Sequence, residues 1–128
     1  MAIPTGPGTE VAYCHRVEGV SDSWVDLIPV ADINVNIIST LMSVVITNTD
    51  SSICQVSLAI HNYNGSGYSG ESRFLYTQVI GTGNRTFVWD TRMVLFSASA
   101  STRPALRAIT EATGDVDVYT SYIKQDWT

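Results

Sequence analysis

Residues 44–60, VVITNTDSSICQVSLAI, contain two runs of alternating side chains on either side of a polar segment, TNTDSS. Alternation with a period of two is typical of a β-strand that buries one face. The Asn and Asp of the polar segment suit a turn, because their side chains can bond nearby backbone N–H groups. The stretch therefore predicts a β-hairpin, with Val56 and Leu58 in the core and Gln55 and Ser57 pointing away from it.

Other short runs with strand character follow one another along the chain. The predicted strands cover 11–17, 23–30, 34–48, 53–61, 74–80, 85–89, 93–99, 105–112 and 116–124. Segment 105–112 also fits helical spacing, with Pro104 at a first helical position, but its shortness and its place between strands favour a strand. The spacing of strands and turns predicts an all-β chain, a single-domain antiparallel β-sandwich of jelly-roll-like or Ig-like type.

The two ends of the chain differ from this pattern. Residues 1–10, MAIPTGPGTE, show no periodicity and are predicted to form an extended arm, and 11–128 to form one sandwich domain. Prolines stiffen an extended arm and lower the cost of ordering it when it docks. We therefore expect the arm to contact neighbouring subunits. The arm residues expected at this interface are Ile3, Pro4, Thr5 and Pro7.

Three aromatic residues stand out by position. Trp127 lies one residue from the C-terminal end, where chains are usually polar. A Trp there is more easily explained if it docks on its own domain or on a neighbour, and we expect a neighbour, since buried Trp anchors dominate many interfaces. Tyr63 and Tyr68 fall in 61–72, HNYNGSGYSGES, which is predicted to be a loop. Both can stack on a sugar ring or pack on a partner.

Composition and charge exclude several partners. The formal net charge is −5, only 15% of residues are charged, and the seven basic residues form no run. A nucleic-acid groove needs a basic stripe, and an anionic membrane surface needs basic clusters, so neither partner is expected. No apolar stretch is long enough to span a bilayer. The N-terminus lacks the features of a secretory signal, so we expect the chain to stay in a cytoplasm.

Catalytic and metal-binding motifs are not recognisable. The serines of 61–72 do not match G-x-S-x-G, and GTGN at 81–84 lacks the third glycine of a dinucleotide loop. His15 and His61 are the only candidate bases at neutral pH, and with the two cysteines they lack zinc-ligand spacing. We therefore expect neither an enzyme nor a bound metal or cofactor.

Two pairs of residues leave alternatives open. Cys14 and Cys54 are predicted to be free thiols, because cytosolic disulfides are uncommon, although a bridge between them is the alternative. Asp115 and Asp117 alternate beside a glycine and can hold calcium, but a solvated strand end is the preferred interpretation.

The ends and the strand order together resemble a known family. The opening IPTGPGTEV at 3–11 and the ending SYIKQDW at 121–127 are similar to the two ends of small virion structural proteins of tailed bacteriophages. The order SVVITNTDSSICQVSLAI, RFLYTQVI, TFVWDTRMVL and LRAITEATGDVDVYTSYIKQ also resembles theirs. The chain departs from that family at 101–104, where relatives often carry Gly-Asp, and in the longer, more aromatic segment 61–72.

This resemblance implies a compact β-sandwich displayed on a phage particle, assembled in the bacterial host cytoplasm. It implies a capsid decoration (cement) protein first, and a neck or tail accessory protein second, without catalysis. The implied partners are capsid, neck or tail proteins and further copies of the same chain, with a trimer preferred. A glycan-binding module that touches the host surface through Tyr63 and Tyr68 is the other alternative.

Overall fold

The computed structural model describes residues 8–111 and 114–127. Nine strands are present in these two ranges, joined by short connections and a single turn of 3-10 helix at Val30–Asp32. The strands are β1 Thr9–Val20, β2 Val25–Asp26, β3 Ile37–Asn48, β4 Cys54–Tyr63, β5 Tyr68–Ile80, β6 Thr86–Trp89, β7 Met93–Phe96, β8 Arg103–Thr110 and β9 Val116–Asp126. No α-helix occurs in the described residues, and none of their helical turns is long and apolar enough to cross a bilayer.

The strands form two antiparallel sheets. The first sheet has the order β1-β9-β3-β6, with β7 also paired to β3, and the second has the order β2-β8-β4-β5. β6 and β7 pair with successive halves of β3, so they act as one interrupted strand. With β6 and β7 counted together, every connection except β4–β5 crosses between the sheets, which is the winding of a jelly roll. The predicted all-β sandwich is confirmed, and its type is the jelly roll.

The predicted hairpin at 44–60 is wrong. β3 ends at Asn48 in the first sheet, whereas β4 begins at Cys54 in the second sheet, and the chain between them crosses from one sheet to the other. Both strands bury one face in the same core, so each shows the alternation that a hairpin would also show. The prediction that Val56 and Leu58 lie in the core is confirmed, since both are fully buried.

Asn48 holds this crossing together. It is fully buried, and its Nδ2 donates to the carbonyl oxygens of Ser52, Ile80 and Gly81 at 2.8, 3.1 and 3.0 Å. Its Oδ1 accepts the backbone N–H of Asp50 at 2.8 Å. A single buried amide therefore ties the end of β3 to the start of β4 and to the end of β5, and it satisfies carbonyl groups that would be costly to leave unpaired.

The predicted loop at 61–72 is also corrected. β4 continues to Tyr63 and β5 begins at Tyr68, which leaves only the turn 64–67. Asn64 closes this turn, because its Oδ1 accepts the backbone N–H groups two and three residues later at 2.9 and 2.8 Å. The glycine-rich composition of the segment thus belongs to a hairpin with a bulged partner strand, and not to a long surface loop.

Three further predictions are settled by strand bounds. The strand predicted at 23–30 is only Val25–Asp26, and the chain then turns at Pro29 into the 3-10 turn. Residues 105–110 of the predicted segment 105–112 belong to β8, as the preferred strand interpretation required. β1 begins at Thr9, so the end of the predicted arm 1–10 pairs with β9 in the first sheet. The expected arm contacts Ile3, Pro4, Thr5 and Pro7 lie outside the described residues.

The core lies between the inner faces of the two sheets. Its largest fully buried side chains are Leu27, Ile28, Ile33, Leu41, Ile46, Leu58 and Leu106, with Val20, Val44, Val56, Val116 and Val118. They come from both sheets and from the β2–β3 connection, so one continuous core is closed by that connection. With the core filled by these side chains, the outer faces of the sheets and the ends of the sandwich are the surfaces that can meet a partner.

Candidate functional site

The outer face of the first sheet carries two groups of apolar side chains, one around Val45 and one around Ile38. The register places Val45 opposite both Val88 and Tyr119, and it places Ile38 opposite Phe96. We call the following residues the apolar face: Ile38, Val45, Val88, Val94, Phe96, Tyr119 and Ile123. Val94 is 62% exposed and Val88 is 52% exposed, while Tyr119 and Phe96 are 44% and 43% exposed. Exposed apolar side chains grouped on one side of a sheet are typical of surfaces that meet a partner.

The outer face of the second sheet is different. Its strands bring aromatic and basic side chains together: Tyr63 lies opposite Tyr68 on one side and opposite Arg103 on the other. Ala59 lies between Arg73 and Arg107 in the same way. We call the following residues the arginine–aromatic cluster: Trp24, His61, Tyr63, Tyr68, Arg73, Arg103 and Arg107.

The rings and guanidinium groups of this cluster stack on one another. The guanidinium carbon of Arg107 lies 3.7 Å from the ring centroid of Tyr68, and that of Arg103 lies 5.4 Å from the centroid of Tyr63. The centroids of the two tyrosine rings are 4.9 Å apart. Arg73 lies over the Trp24 ring at 5.1 Å. These are cation–π geometries, and they hold long side chains flat against the sheet.

Acidic side chains neutralise part of the cluster. Arg107 Nε lies 3.1 Å from Asp26 Oδ1, and the contact is an ion pair without a hydrogen bond. Arg107 Nη2 donates to the Trp24 carbonyl at 3.0 Å. The Tyr68 hydroxyl donates to Asp26 Oδ2. Burial, together with this hydrogen bond to a carboxylate, raises the pKa of Tyr68 to about 12.

The cluster covers the sheet beneath it. Ala59 and Ala105 are fully buried although they point outward, because the large side chains of the cluster lie over them. His61 is 7% exposed, and its ring packs edge-on against Trp24 with centroids 4.6 Å apart. Burial and the nearby Arg107 charge lower the pKa of His61 below its usual value. The cluster therefore shields the part of this outer face that contains Ala59 and Ala105, whereas Tyr76 and Val79 on β5 are 70% and 53% exposed.

Tyr63 and Tyr68 lie close together in the structure, while their binding of a sugar or a partner stays a prediction. The structure brings the two residues together at the ends of paired strands, and each carries an arginine over its ring. Sequence reasoning missed the arginines, since it looked for a run of basic residues. The available signal was the alternation of Arg103 and Arg107 along one strand, which places both on the same face.

A cleft lies beside the cluster at one end of the sandwich. It has a volume of about 320 Å³ and is lined by the β4–β5 hairpin, the end of β7, the β7–β8 connection and the start of β8. Phe96 and Pro104 supply apolar wall, and Asn62 and Thr102 supply uncharged polar groups. The backbone of the β7–β8 connection is folded on itself through a bridge between Ser99 and Thr102.

Trp127 docks on its own domain. Its backbone N–H donates to the Asn36 carbonyl at 2.9 Å, and its indole ring lies against Gly8, where an added Cβ would be only 2.7 Å from Nε1. The ring is half-buried. The pairing of the start of β1 with the end of β9 brings Gly8 against the ring. That Trp127 also contacts a neighbouring subunit stays a prediction.

The other candidate residues of the sequence stay apart. His15 Nδ1 bonds to the Leu27 carbonyl at 2.9 Å, while His61 lies in the arginine–aromatic cluster. Cys14 is exposed in the first sheet and Cys54 is buried in the second, and both are free. In 8–111 and 114–127 no group of three or more His, Cys, Asp or Glu side chains is arranged to hold a metal ion.

Asp117 is engaged at the strand end. Its carboxylate accepts a hydrogen bond from Arg16 at 3.0 Å and another from the backbone N–H of Gly19 at 3.1 Å. Gly19 has a φ of +66°, which favours glycine and forms the irregular end of β1 where the register with β9 shifts. These contacts give the carboxylate a structural role at the bulge.

Comparisons with known proteins show a likeness of fold. No protein-family model matches the sequence, and no curated protein matches it either. A chain in the structure of infectious bursal disease virus, Gx strain, aligns with 98% of this chain at a TM-score of 0.51 and 13% identity. A chain of the infectious bursal disease virus VP2 subviral particle aligns with 91% of it at a TM-score of 0.50 and 9% identity. This protein spans 32% of each of those chains.

A third likeness is weaker. A chain of the Bacillus endospore appendages, described as a family of disulfide-linked pili, aligns with the whole of this chain at a TM-score of 0.47 and 10% identity. At the low identities of the two virus chains the comparison concerns architecture alone. The chain therefore has the jelly-roll fold that is also present in those two virus particle structures.

Proposed function

We propose that this chain is a structural component of a virus particle that attaches to its surroundings through the apolar face. On the resemblance of its ends and strand order to tailed-phage virion proteins, the finer proposal is a capsid decoration protein that binds the particle surface and stabilises it. The proposal assigns no catalytic activity, and its partners are capsid proteins and further copies of this chain.

The observation that carries the proposal is the uncovered apolar face of a jelly roll. Val88, Val94 and Tyr119 each expose more than two fifths of their surface, and all lie on one side of one sheet. Apolar area of this kind gains free energy when a partner removes it from water, at roughly 25 cal/mol per Å². A protein present in many copies on a particle also gains avidity from geometry, so each contact can be small.

β1 offers a second means of attachment on the same sheet. It is 12 residues long and lies at the edge of the first sheet, and no other strand of the described chain pairs with its outer edge. Long open edges accept an extended segment through backbone hydrogen bonds. The arm that precedes β1, with Ile3, Pro4, Thr5 and Pro7, is proposed to supply such a segment to a neighbouring copy.

A neck or tail accessory protein is the second candidate within the same class. It would use the same apolar face and the same edge, because both proposals need a subunit that packs against other protein. The two differ in copy number on the particle. Counting copies in purified particles against the major capsid protein separates a decoration protein from a neck or tail component.

The test substitutes two valines that match in exposure. Val88→Arg places a charge in the apolar face, at a residue that is 52% exposed. Val79→Arg places the same charge on the second sheet, at a residue of edge strand β5 that is 53% exposed. Each variant is assayed for binding to particles that lack the protein. We expect Val88→Arg to abolish binding and Val79→Arg to leave it intact.

Two results would contradict the proposal. The first is that Val88→Arg binds as well as the parent chain while remaining folded by circular dichroism. The second is that neither the parent chain nor Val79→Arg is retained by any particle, neck or tail preparation from the phage that encodes it. Full retention of a chain shortened by residues 2–7 would remove the arm from the proposal and leave the apolar face as the attachment surface.

A further inference from the structure

The cleft beside the hairpin has the surface chemistry of a small-molecule site. Its volume of about 320 Å³ lies at the lower end of the range for ligand sites in proteins. Phe96 and Ala98 present apolar surface, and Asn62, Ser69 and Thr102 place uncharged hydrogen-bonding groups beside it. No Asp, Glu, Lys or Arg is among the described residues that line it. A ligand that matches this surface is neutral, with one apolar side and several hydroxyl groups.

His61 lies at the boundary between the cleft and the arginine–aromatic cluster. It forms part of the cleft wall, but its ring lies on the opposite face of β4 from Ile60 and Asn62 and packs against Trp24. Burial lowers the pKa of His61, so the ring at this boundary is neutral at neutral pH.

The cleft is held open by contacts of its own walls. Asn62 Nδ2 donates to the Ser101 carbonyl at 3.4 Å, which ties β4 to the β7–β8 connection. Arg103 Nε donates to the Ala100 carbonyl at 2.8 Å and braces the same connection from the other side. At Gly70 an added Cβ would meet no heavy atom within 4 Å, so the β5 wall is open. A pre-formed cavity loses little entropy when it binds a ligand.

We infer that this cleft binds a neutral saccharide unit. The C–H face of a pyranose packs on the ring of Phe96, and its hydroxyl groups bond to Asn62, Ser69 and Thr102. The sugar is assigned to the cleft and not to Tyr63 and Tyr68, because an arginine already lies over each tyrosine ring. This assignment does not rest on the proposed virion function, since a saccharide can be bound by a protein with any attachment partner.

The experiment is an NMR titration of the full chain with neutral and charged sugars. Glucose, galactose, mannose and N-acetylglucosamine are each added at millimolar concentration, and glucuronate serves as the anionic comparison. We expect saturable amide shifts with at least one neutral sugar, confined to the β4–β5 hairpin and the β7–β8 connection. Glucuronate is expected to bind more weakly than that neutral sugar.

Two pairs of variants locate the site. Ala98→Trp fills the cleft at an exposed residue, and Ala100→Trp makes the same change in the same connection at an exposed residue that does not line it. Phe96→Ala removes the apolar wall, and Val94→Ala changes the same strand outside the cleft. Affinity is expected to fall at least about tenfold in Ala98→Trp and Phe96→Ala, and to be unchanged in both controls.

Four results would overturn the inference. The first three are no saturable shift with any neutral sugar, equal affinity in Ala98→Trp and the parent chain, and tighter binding of glucuronate than of every neutral sugar. The fourth is sugar-induced shifts at Tyr63, Tyr68 and Arg107 with none at Asn62, Ser69 and Thr102. Cleft shifts that follow protein concentration in place of sugar concentration would assign the cleft to a side chain of a neighbouring copy and would likewise overturn it.

Discussion

The outer faces of the two sheets differ in how far their small and apolar residues are covered by side chains of the same sheet. On the second sheet, the large side chains of the arginine–aromatic cluster surround Ala59 and Ala105, and both alanines are fully buried. On the first sheet, Val88 and Val94 stand open to water with about half or more of their surface exposed. The part of the second sheet around Ala59 and Ala105 is therefore covered by its own residues, whereas the valines of the first sheet are left for something else to cover.

The difference comes from the lengths and charges of the residues in register. Long arginine side chains can lie across a sheet and keep their charged ends in water, so they cover small residues without a partner. Valine is too short to reach across to a neighbouring strand. The exposed valines of the first sheet can lose their contact with water only against another surface, which is why the proposed attachment site is the first sheet.

The largest expected effect breaks the cover of the second sheet. Arg107→Ala removes the ion pair with Asp26, the hydrogen bond to the Trp24 carbonyl and the stack on Tyr68. The Arg107 side chain is 14% exposed and that of Asp26 is 29% exposed, so the carboxylate would be left partly buried without its cation. We expect a loss of about 2–4 kcal/mol in the free energy of unfolding, measured by urea denaturation.

Arg16 is the matched control on the first sheet. It pairs with Asp117 at 3.0 Å, but its side chain is 53% exposed. Exposed ion pairs contribute little to stability, so Arg16→Ala should leave the denaturant midpoint almost unchanged. Equal losses in the two variants would mean that the arginines of the second sheet do not form a cover.

The next effect comes from filling the space beneath the cover. Ala59→Leu forces a larger side chain under Arg73 and Arg107, and overpacking of this kind typically costs about 1–3 kcal/mol. Ala12→Leu makes the same change at an exposed residue of the first sheet and should cost less than about 0.5 kcal/mol. Thermal melts of both variants, compared with the parent chain, distinguish a covered face from an open one.

A feature of the fold was predictable from the sequence when the pattern within a single strand was enough to specify it. Alternation within 34–48 and 53–61 was enough to predict strands and the buried positions of Val56 and Leu58, because the pattern of one strand reports its own burial. The partner of each strand was not predictable in that way. The segment TNTDSS can end a hairpin or cross between sheets, and the choice is made by Asn48 with the distant carbonyls of Ile80 and Gly81.

Ser57 shows the same limit for single residues. Its outward position was predicted correctly from alternation, yet the residue is only 3% exposed. Its Oγ accepts the backbone N–H of Thr77 at 2.9 Å, where β5 bulges with a φ of +46°, and it also contacts Arg73. The bulge and the arginine come from a strand about 20 residues later, so no pattern within β4 could predict them. The arginines of the arginine–aromatic cluster were missed for the same reason, because they come from different strands.

A smaller effect is expected from the titration of His61 within the cover. The pKa of His61 is lowered by burial and by Arg107, with Glu71 opposing, so the folded chain favours the neutral ring. The unfolded chain binds the proton more readily, and stability is therefore lost as the pH falls below the ordinary histidine value of about 6.5. We expect urea midpoints to fall between pH about 7.5 and about 5, and to fall less in His61→Gln.

The sign of this effect is its test. A midpoint that rises on acidification would mean that the protonated ring is favoured, which would require Glu71, at 3.8 Å from Nε2, to outweigh burial. His15→Gln is the control, because His15 bonds through Nδ1 to a backbone carbonyl on the other side of the sandwich and lies outside the arginine–aromatic cluster. The parent chain and His15→Gln should then lose more stability on acidification than His61→Gln does.

The smallest expected effect concerns the open face itself. Val88→Thr keeps the shape of the side chain and the strand propensity and removes part of its apolar surface. Because Val88 is 52% exposed on edge strand β6, the free energy of unfolding of the isolated chain should change by less than about 0.5 kcal/mol. Chemical denaturation at low protein concentration measures this directly. A loss above about 1 kcal/mol would show that the chain already covers Val88, and the contrast between the two faces would then fail.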